Sequence, residues 1–498
     1  MYDVAIIGGG VIGGMLLRTL SAYKLRLCIL EKENDVAMGA SKANSAIVHA
    51  GFDAEPGTLK AKLNVKGSEM MEVTARELGV KYKRNGSLVI GFHDEDKRKI
   101  EELYARGVKN GVKELSVLNS EELHELEPNI SPNAVCALRA GTGAIVCPYE
   151  LTIAAVGNAM DNGAELKVNF EVTEIKKCGA GYEIVSANGD KVKAAYVVNA
   201  AGMNSDAVAA MPGPSDIRLH PRRGEYVLLD KTSGGLVSHT IFRTPSDMGK
   251  GILVTPTVDG NLLLGPTAED IENKSDTATT IDGLSTVLSR CTETTTGINL
   301  RDTITSFCGL RAVGNTGDFI INSTCEHFIN AAGIESPGLS ASPAIAEYIT
   351  EMLKAQGLEL VKNEDFNPIR KPAHYFKEAS VAEQNRMIAE NRAYGRIICR
   401  CEGISEGEIR EAIRTNPPAR DLDGVKRRTR AQMGRCQGGF CMPYITEILS
   451  EELGIPYENV TKNGGDSKLI IGRAKELLQS LIREKDMPPK PTLDMDMA

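Results

Sequence analysis

"DVAIIGGGVIGGMLLRTLSAY", residues 3–23, is the stretch that decides the fold. It opens with a short apolar run, Val4 to Ile7, of the length and character of a buried strand. A cluster of glycines follows, and then an apolar pattern with helical spacing from about Val11. Gly8, Gly10 and Gly13 fall in the spacing G-x-G-x-x-G. In that spacing the first glycine permits a tight turn and the second lets the backbone approach a pyrophosphate. The third lets the helix pack close to the strand. The pyrophosphate would sit at the helix N-terminus, beside Val11 and Ile12, where N–H groups and the helix dipole favour an anion. A second strand, "RLCIL" at 26–30, runs into Glu31, placed to accept hydrogen bonds from ribose hydroxyls.

Composition sets the outer limits. A chain of 498 residues is too long for one simple core, so two to four domains are expected. Apolar content of 42% and charged content of 25% are those of a soluble globular protein. The formal net charge of -8 argues against nucleic acid as the principal partner. Seven of the 11 cysteines (Cys28, Cys136, Cys147, Cys178, Cys291, Cys308, Cys325) are scattered, which suits buried thiols in a reducing compartment. The opening apolar run lacks a basic flank and is broken by glycines, so it is not read as a signal sequence. No apolar run reaches the ~18 residues of a membrane span. A cytoplasmic protein is the expectation.

Three further segments extend the nucleotide site and lean toward FAD over NAD. "GASKANSAIVHAGF" (39–52) offers small and hydroxyl residues, among them Gly39, Ser41, Asn44 and Ser45, that could line a longer cofactor. "YVVNAAGMNSD" (196–206) is an apolar strand ending at Ala201 and Gly202. "FINAAGIESPGLSASPAIAEYI" (328–349) is a strand, a loop and a helix, with Gly333, Pro337, Gly338, Leu339 and Ser340 at the turn. The N-terminus of that helix could face the flavin pyrimidine ring and stabilise its reduced anion.

These segments together resemble the FAD-dependent family of D-amino-acid oxidase, glycerol-3-phosphate dehydrogenase and L-2-hydroxyglutarate dehydrogenase, over about 1–360. "NSAIVHAGFDAEPGTLKAKLNVKG" (44–67) is especially similar to the last two. The resemblance implies an α/β fold, in which a Rossmann-like FAD domain (1–80, 145–212, 305–360) is interleaved with an antiparallel-sheet substrate domain (81–144, 213–304). It extends the cofactor-lining set to Lys32, Val172 and Gly309. It places His49 near the flavin, where a histidine suits removal of a hydroxyl proton. Arg311, in "FCGLRAVG", stands where family members carry a substrate-binding arginine. Arg222 and Arg223, in "HPRRGEY", and Arg243 add to a cationic set that suits a small anionic substrate.

Past a two-proline linker, 361–395, come four more cysteines. Cys399 and Cys401 form C-x-C; Cys436 and Cys441 form C-x4-C. Zinc, disulfides and a [2Fe-2S] cluster compete for this pattern, although zinc usually takes C-x2–4-C pairs and disulfides do not suit a reducing compartment. "ICRCEGISEGEIREAI" and "KRRTRAQMGRCQGGFC" resemble the bacterioferritin-associated ferredoxin-like domain, which implies a helical [2Fe-2S] domain over 396–483 before a flexible tail, 484–498. The basic run 426–435 reads either as a solvated helix face or as positive charge beside an anionic cluster.

The resemblance as a whole is to the catalytic subunit of anaerobic glycerol-3-phosphate dehydrogenases. It implies oxidation of glycerol 3-phosphate, with electrons passed through the cluster to a partner subunit or flavoprotein that could tie the enzyme to a membrane. L-2-hydroxyglutarate, an amine or imino acid, and a non-catalytic electron-transfer or redox-sensing role are the alternatives.

Overall fold

The computed structural model describes residues 1–244, 251–372 and 375–470, with 472, 474–476 and 478–479 beyond them. The tail expected at 484–498 lies outside the described residues.

The fingerprint stretch forms a strand, Tyr2–Ile7, and a helix, Val11–Ser21. Its strand is the centre of an eight-stranded sheet. Lys191–Asn199 and Leu27–Leu30 flank it in parallel, and Phe328–Ala332 and Glu165–Lys167 extend the parallel array on either side. These central strands are apolar on both faces because both faces are covered. Four helices (Val11–Ser21, Leu59–Glu77, Pro148–Asp161 and Gly338–Ala355) enclose one cluster with this sheet, built on Leu16, Leu17, Ile29, Val198 and Ile345.

A second sheet of nine strands is largely antiparallel and stands on a separate core that includes Leu88, Val227, Ile241 and Leu264. Its longest ladder joins Leu219–Leu229 to Thr303–Gly314, paired from Leu219↔Gly314 to Leu228↔Thr305 in one register, with a one-residue slip before Leu229↔Thr303. Residues 305–314, grouped from sequence with the cofactor part, therefore lie on the substrate-side sheet. The two-domain α/β architecture is as the sequence implied.

The last described segment is a third unit. Helices Glu406–Arg414, Leu422–Thr429 and Met442–Leu453 pack around Ile409, Leu422, Ile445 and Leu449, with a two-stranded ribbon, Ile397–Cys399 and Ile404–Ser405. Ser405 caps the first of these helices in a reciprocal box with Glu408. The stretch read as a linker, 361–395, carries a helix of its own, Val381–Glu390, capped by Ser380.

The basic run 426–435 is not a solvated face. Arg427, Arg428 and Arg430 are each buried, and all point into the seam between the third unit and the rest. Asp35 sits between Arg427 at 2.6 Å and Arg428 at 2.7 Å. Arg430 reaches Asp259 at 2.6 Å and Glu402 at 3.2 Å. Asn34 donates to Asp421 across the same seam, and Lys231 pairs with Glu402 at 2.8 Å. Sequence spacing cannot reveal such an arrangement, because each arginine's partner is a carboxylate from a remote part of the chain.

Candidate active site and cluster site

A continuous cavity of about 2200 Å³ runs between the first two sheets. At one end lies the fingerprint turn. Gly8 has φ +108, and a Cβ there would lie 2.3 Å from the Ala200 carbonyl oxygen. A Cβ on Gly13 would lie 2.1 Å from the Gly8 carbonyl oxygen, so this glycine sets the closeness of helix and strand. No side chain caps the helix at Gly10. Ser41 Oγ accepts from Val11 N at 2.9 Å, tying the 39–45 loop to the helix start. The Glu31 carboxylate is buried and accepts from Gly9 N (2.6 Å) and Glu33 N (2.9 Å). Burial raises its pKa while those two amides oppose the shift.

Of the residues expected around the cofactor, Gly8, Gly10, Val11, Ile12, Glu31, Lys32, Gly39, Ser41, Asn44, Ser45, Val172, Ala201, Gly202, Gly309, Pro337, Gly338 and Leu339 line this cavity. Gly13, Gly333 and Ser340 stand behind the wall. Ser340 is wholly buried, and its Oγ accepts from His49 N at 2.7 Å. It thereby fixes the main chain at His49 and makes no contact of its own with the cavity.

At the other end His49 lines the cavity, with Nε2 3.3 Å from Ser336 Oγ and its ring 5.9 Å from the Phe242 ring. Arg311 lies opposite Arg222 in the long ladder, so both side chains emerge on one face. They differ in engagement. Arg222 makes a two-pronged pair with Asp270 (2.6 and 2.9 Å), whereas among the described residues Arg311 has no carboxylate partner. Arg223, one residue on, turns to Glu269 and Asp276, and Arg243 is held by Glu293 with its guanidinium over Phe92. All four arginines line the cavity, but three are held by carboxylates, and Arg311 is the one among them without such a partner.

Tyr226, which no motif marked, completes this end. It is stacked on Phe307 at 4.7 Å, and its hydroxyl lies 3.1 Å from Ser45 Oγ. Burial raises its phenol pKa, and the adjacent Arg311 guanidinium pulls against that rise. The signal was present only as alternation in "GEYVLLD", where Tyr226 falls on an inward position.

In the third unit the four thiols stand as two pairs. Cys401 and Cys436 sulfurs are 3.5 Å apart, and Cys399 hydrogen-bonds Cys441. That bond lowers the Cys399 pKa, with help from the Gln432 and Glu402 amides, and raises that of Cys441. Two thiols per iron is what a [2Fe-2S] cluster takes, and backbone N–H groups aimed at the sulfurs suit an anionic cluster. Among the described residues no three His, Cys, Asp or Glu side chains gather as a single metal ion requires.

Comparison with known proteins agrees with this division. Residues 3–352 match the family of FAD-dependent oxidoreductases. The chain belongs to that family. Residues 397–451 match the BFD-like [2Fe-2S] binding domain, so this oxidoreductase carries sites for FAD and for a [2Fe-2S] cluster. It is 48% identical to glycerol 3-phosphate dehydrogenase of Caloramator mitchellensis over 96% of its own length and 100% of that protein. It is 32% identical to a mitochondrial L-2-hydroxyglutarate dehydrogenase of Nematostella vectensis over 54% of its length and 62% of the relative. Among solved structures, FAD-bound L-α-glycerophosphate oxidase from Mycoplasma pneumoniae superposes with a TM-score of 0.71 and 30% identity, covering 74% of this chain and 98% of the oxidase. Among the described residues no helix of this oxidoreductase is long and apolar enough to cross a membrane.

Proposed function

We propose that the protein oxidises glycerol 3-phosphate to dihydroxyacetone phosphate and sends the electrons, through the cluster, to an external acceptor. The observation that carries this reading is the 48% identity to a glycerol 3-phosphate dehydrogenase along that protein's whole length. The half-length similarity to the hydroxyglutarate enzymes supports the alternative substrate less well.

Bound FAD supplies the hydride acceptor. The chain's own residues do the rest. Arg311 holds the phosphate, with Tyr226 beside it, at the end of the cavity away from the fingerprint. His49 Nε2 takes the proton of the carbinol hydroxyl, and Ser336 Oγ keeps the ring turned toward the cavity. Arg222 stays with Asp270 and sets the charge of the wall. The 39–45 loop and the 336–339 turn, both lining the cavity, would hold the cofactor.

An anaerobic titration tests the substrate. Glycerol 3-phosphate should bleach the flavin absorbance and then the iron–sulfur absorbance, and L-2-hydroxyglutarate should bleach neither. Bleaching by L-2-hydroxyglutarate alone would overturn the substrate and leave the chemistry. Arg311→Lys keeps the charge and loses the planar fork. KM for glycerol 3-phosphate should rise about 10-fold or more, with a smaller change in kcat. An unchanged KM would remove Arg311 from the phosphate site.

A further inference from the structure

The four thiols are not equally covered. Cys399 and Cys441 are buried, Cys436 is half-buried and Cys401 is exposed, so the cluster site presents the Cys401–Cys436 edge to solvent. Around this edge the surface is unusual for the chain. Phe440, whose N–H points at Cys436, leaves its ring 79% exposed, and among the described residues no other phenylalanine is exposed. Tyr444, one turn further, is 48% exposed and lies under the Arg396 guanidinium at 5.6 Å. Arg400, between the first two thiols, is exposed and among the described residues has no ion-pair partner. The nearest carboxylates are engaged elsewhere. Glu402 is buried under Arg430 and Lys231, and Glu406 is shared by Arg396 and Arg410. A chain of net charge -8 thus carries, at the edge of its terminal redox site, exposed aromatics beside an exposed arginine that no carboxylate among the described residues neutralises.

We propose that this face docks a small acidic electron-carrier protein. The inference rests on the function proposed above and names the partner of the same electron path. At the contact the reduced cluster loses one electron and the carrier's redox centre gains it; no bond is made or broken. Aromatic side chains and arginine are the residue types that anchor protein interfaces, and an acidic group on the partner complements Arg400. A small quinone or dye needs neither the arginine nor the exposed ring.

The test uses the full-length holoprotein with two acceptors, a purified acidic flavodoxin and dichlorophenolindophenol. The variants are Arg400→Glu and Phe440→Ser, each matched to wild type in iron content and visible spectrum. KM for flavodoxin should rise about 10-fold in both. The wild-type rate should fall steeply with salt, and Arg400→Glu should flatten that dependence. Dye reduction and flavin bleaching by glycerol 3-phosphate should stay within about twofold, because neither residue faces the cavity. Should either variant lose its cluster, the other carries the test. The proposal is overturned if wild type reduces the dye and not flavodoxin, or if both variants keep the wild-type KM for flavodoxin. If glycerol 3-phosphate drives neither acceptor, the substrate reading has failed instead. Protein reduced by a stoichiometric dithionite titration then still measures transfer to flavodoxin.

Discussion

Replacing His49 by Ala is expected to slow bleaching of the flavin by substrate by about 10²–10⁴-fold, the usual worth of a general base, while FAD stays bound. The structure keeps the two effects separate. The main-chain contact that anchors this position runs from His49 N to Ser340 Oγ, and it survives the substitution. The ring lines the cavity beside the Ser336 hydroxyl and the Phe242 ring, and an alanine there keeps that main-chain anchor. Single-turnover mixing under anaerobic conditions reads the step directly, and the flavin-to-protein ratio of the purified variant reads cofactor retention. A variant that bleaches at the wild-type rate would show that another group takes the proton.

Asp35→Ala should be the most damaging substitution outside the cavity. It strips a single carboxylate from between two buried guanidiniums and leaves both without that charge. Breaking a buried pair in this way costs about 3–5 kcal/mol. The cluster domain should therefore separate and melt first, giving an early calorimetric transition where the wild-type protein unfolds at higher temperature. Wild-type melting behaviour in the variant would refute the claim that this pair holds the seam. Acid should act through the same residue. Burial alone would raise the Asp35 pKa, but Arg428 and Arg427 outweigh burial and hold it down to about 2. A carboxylate lowered on folding contributes fully above its ordinary pKa, about 3.9, and the contribution is lost as pH falls from there toward 2. The difference in melting temperature between wild type and Asp35→Ala should shrink over that window.

Much of the cofactor end was legible because its information is local. A strand, three spaced glycines, a helix and an acid are contiguous, and each has one physical reason for its place. The C-x-C and C-x4-C pairs were legible for the same reason. The substrate end was less so. Arg222 and Arg223 looked equivalent in sequence, yet a strand's alternation gives them different partners, Asp270 for the first and Glu269 and Asp276 for the second. Tyr226 has no motif and acts by its register. Ser340 follows the lining loop in sequence, yet its hydroxyl turns to the His49 main chain and away from the cavity. The basic run was hardest to read. Nothing near 426–435 says that Asp35, nearly 400 residues upstream, neutralises it.

The ladder of Leu219–Leu229 and Thr303–Gly314 reaches from one end of this machinery to the other. Arg222 and Arg311 sit near its first end, and just past its far end Asp230 and Asp302 contact Arg435 while Lys231 grips Glu402, the neighbour of Cys401. Eight residues of extended chain separate Arg222 from Asp230, about 27 Å at the rise of a strand. The proposed anion-binding arginine and the contacts that reach the cluster unit therefore stand at opposite ends of one ladder. In the proposed scheme substrate and acceptor meet the chain at different places, so both can be bound at once and neither must depart before the other arrives.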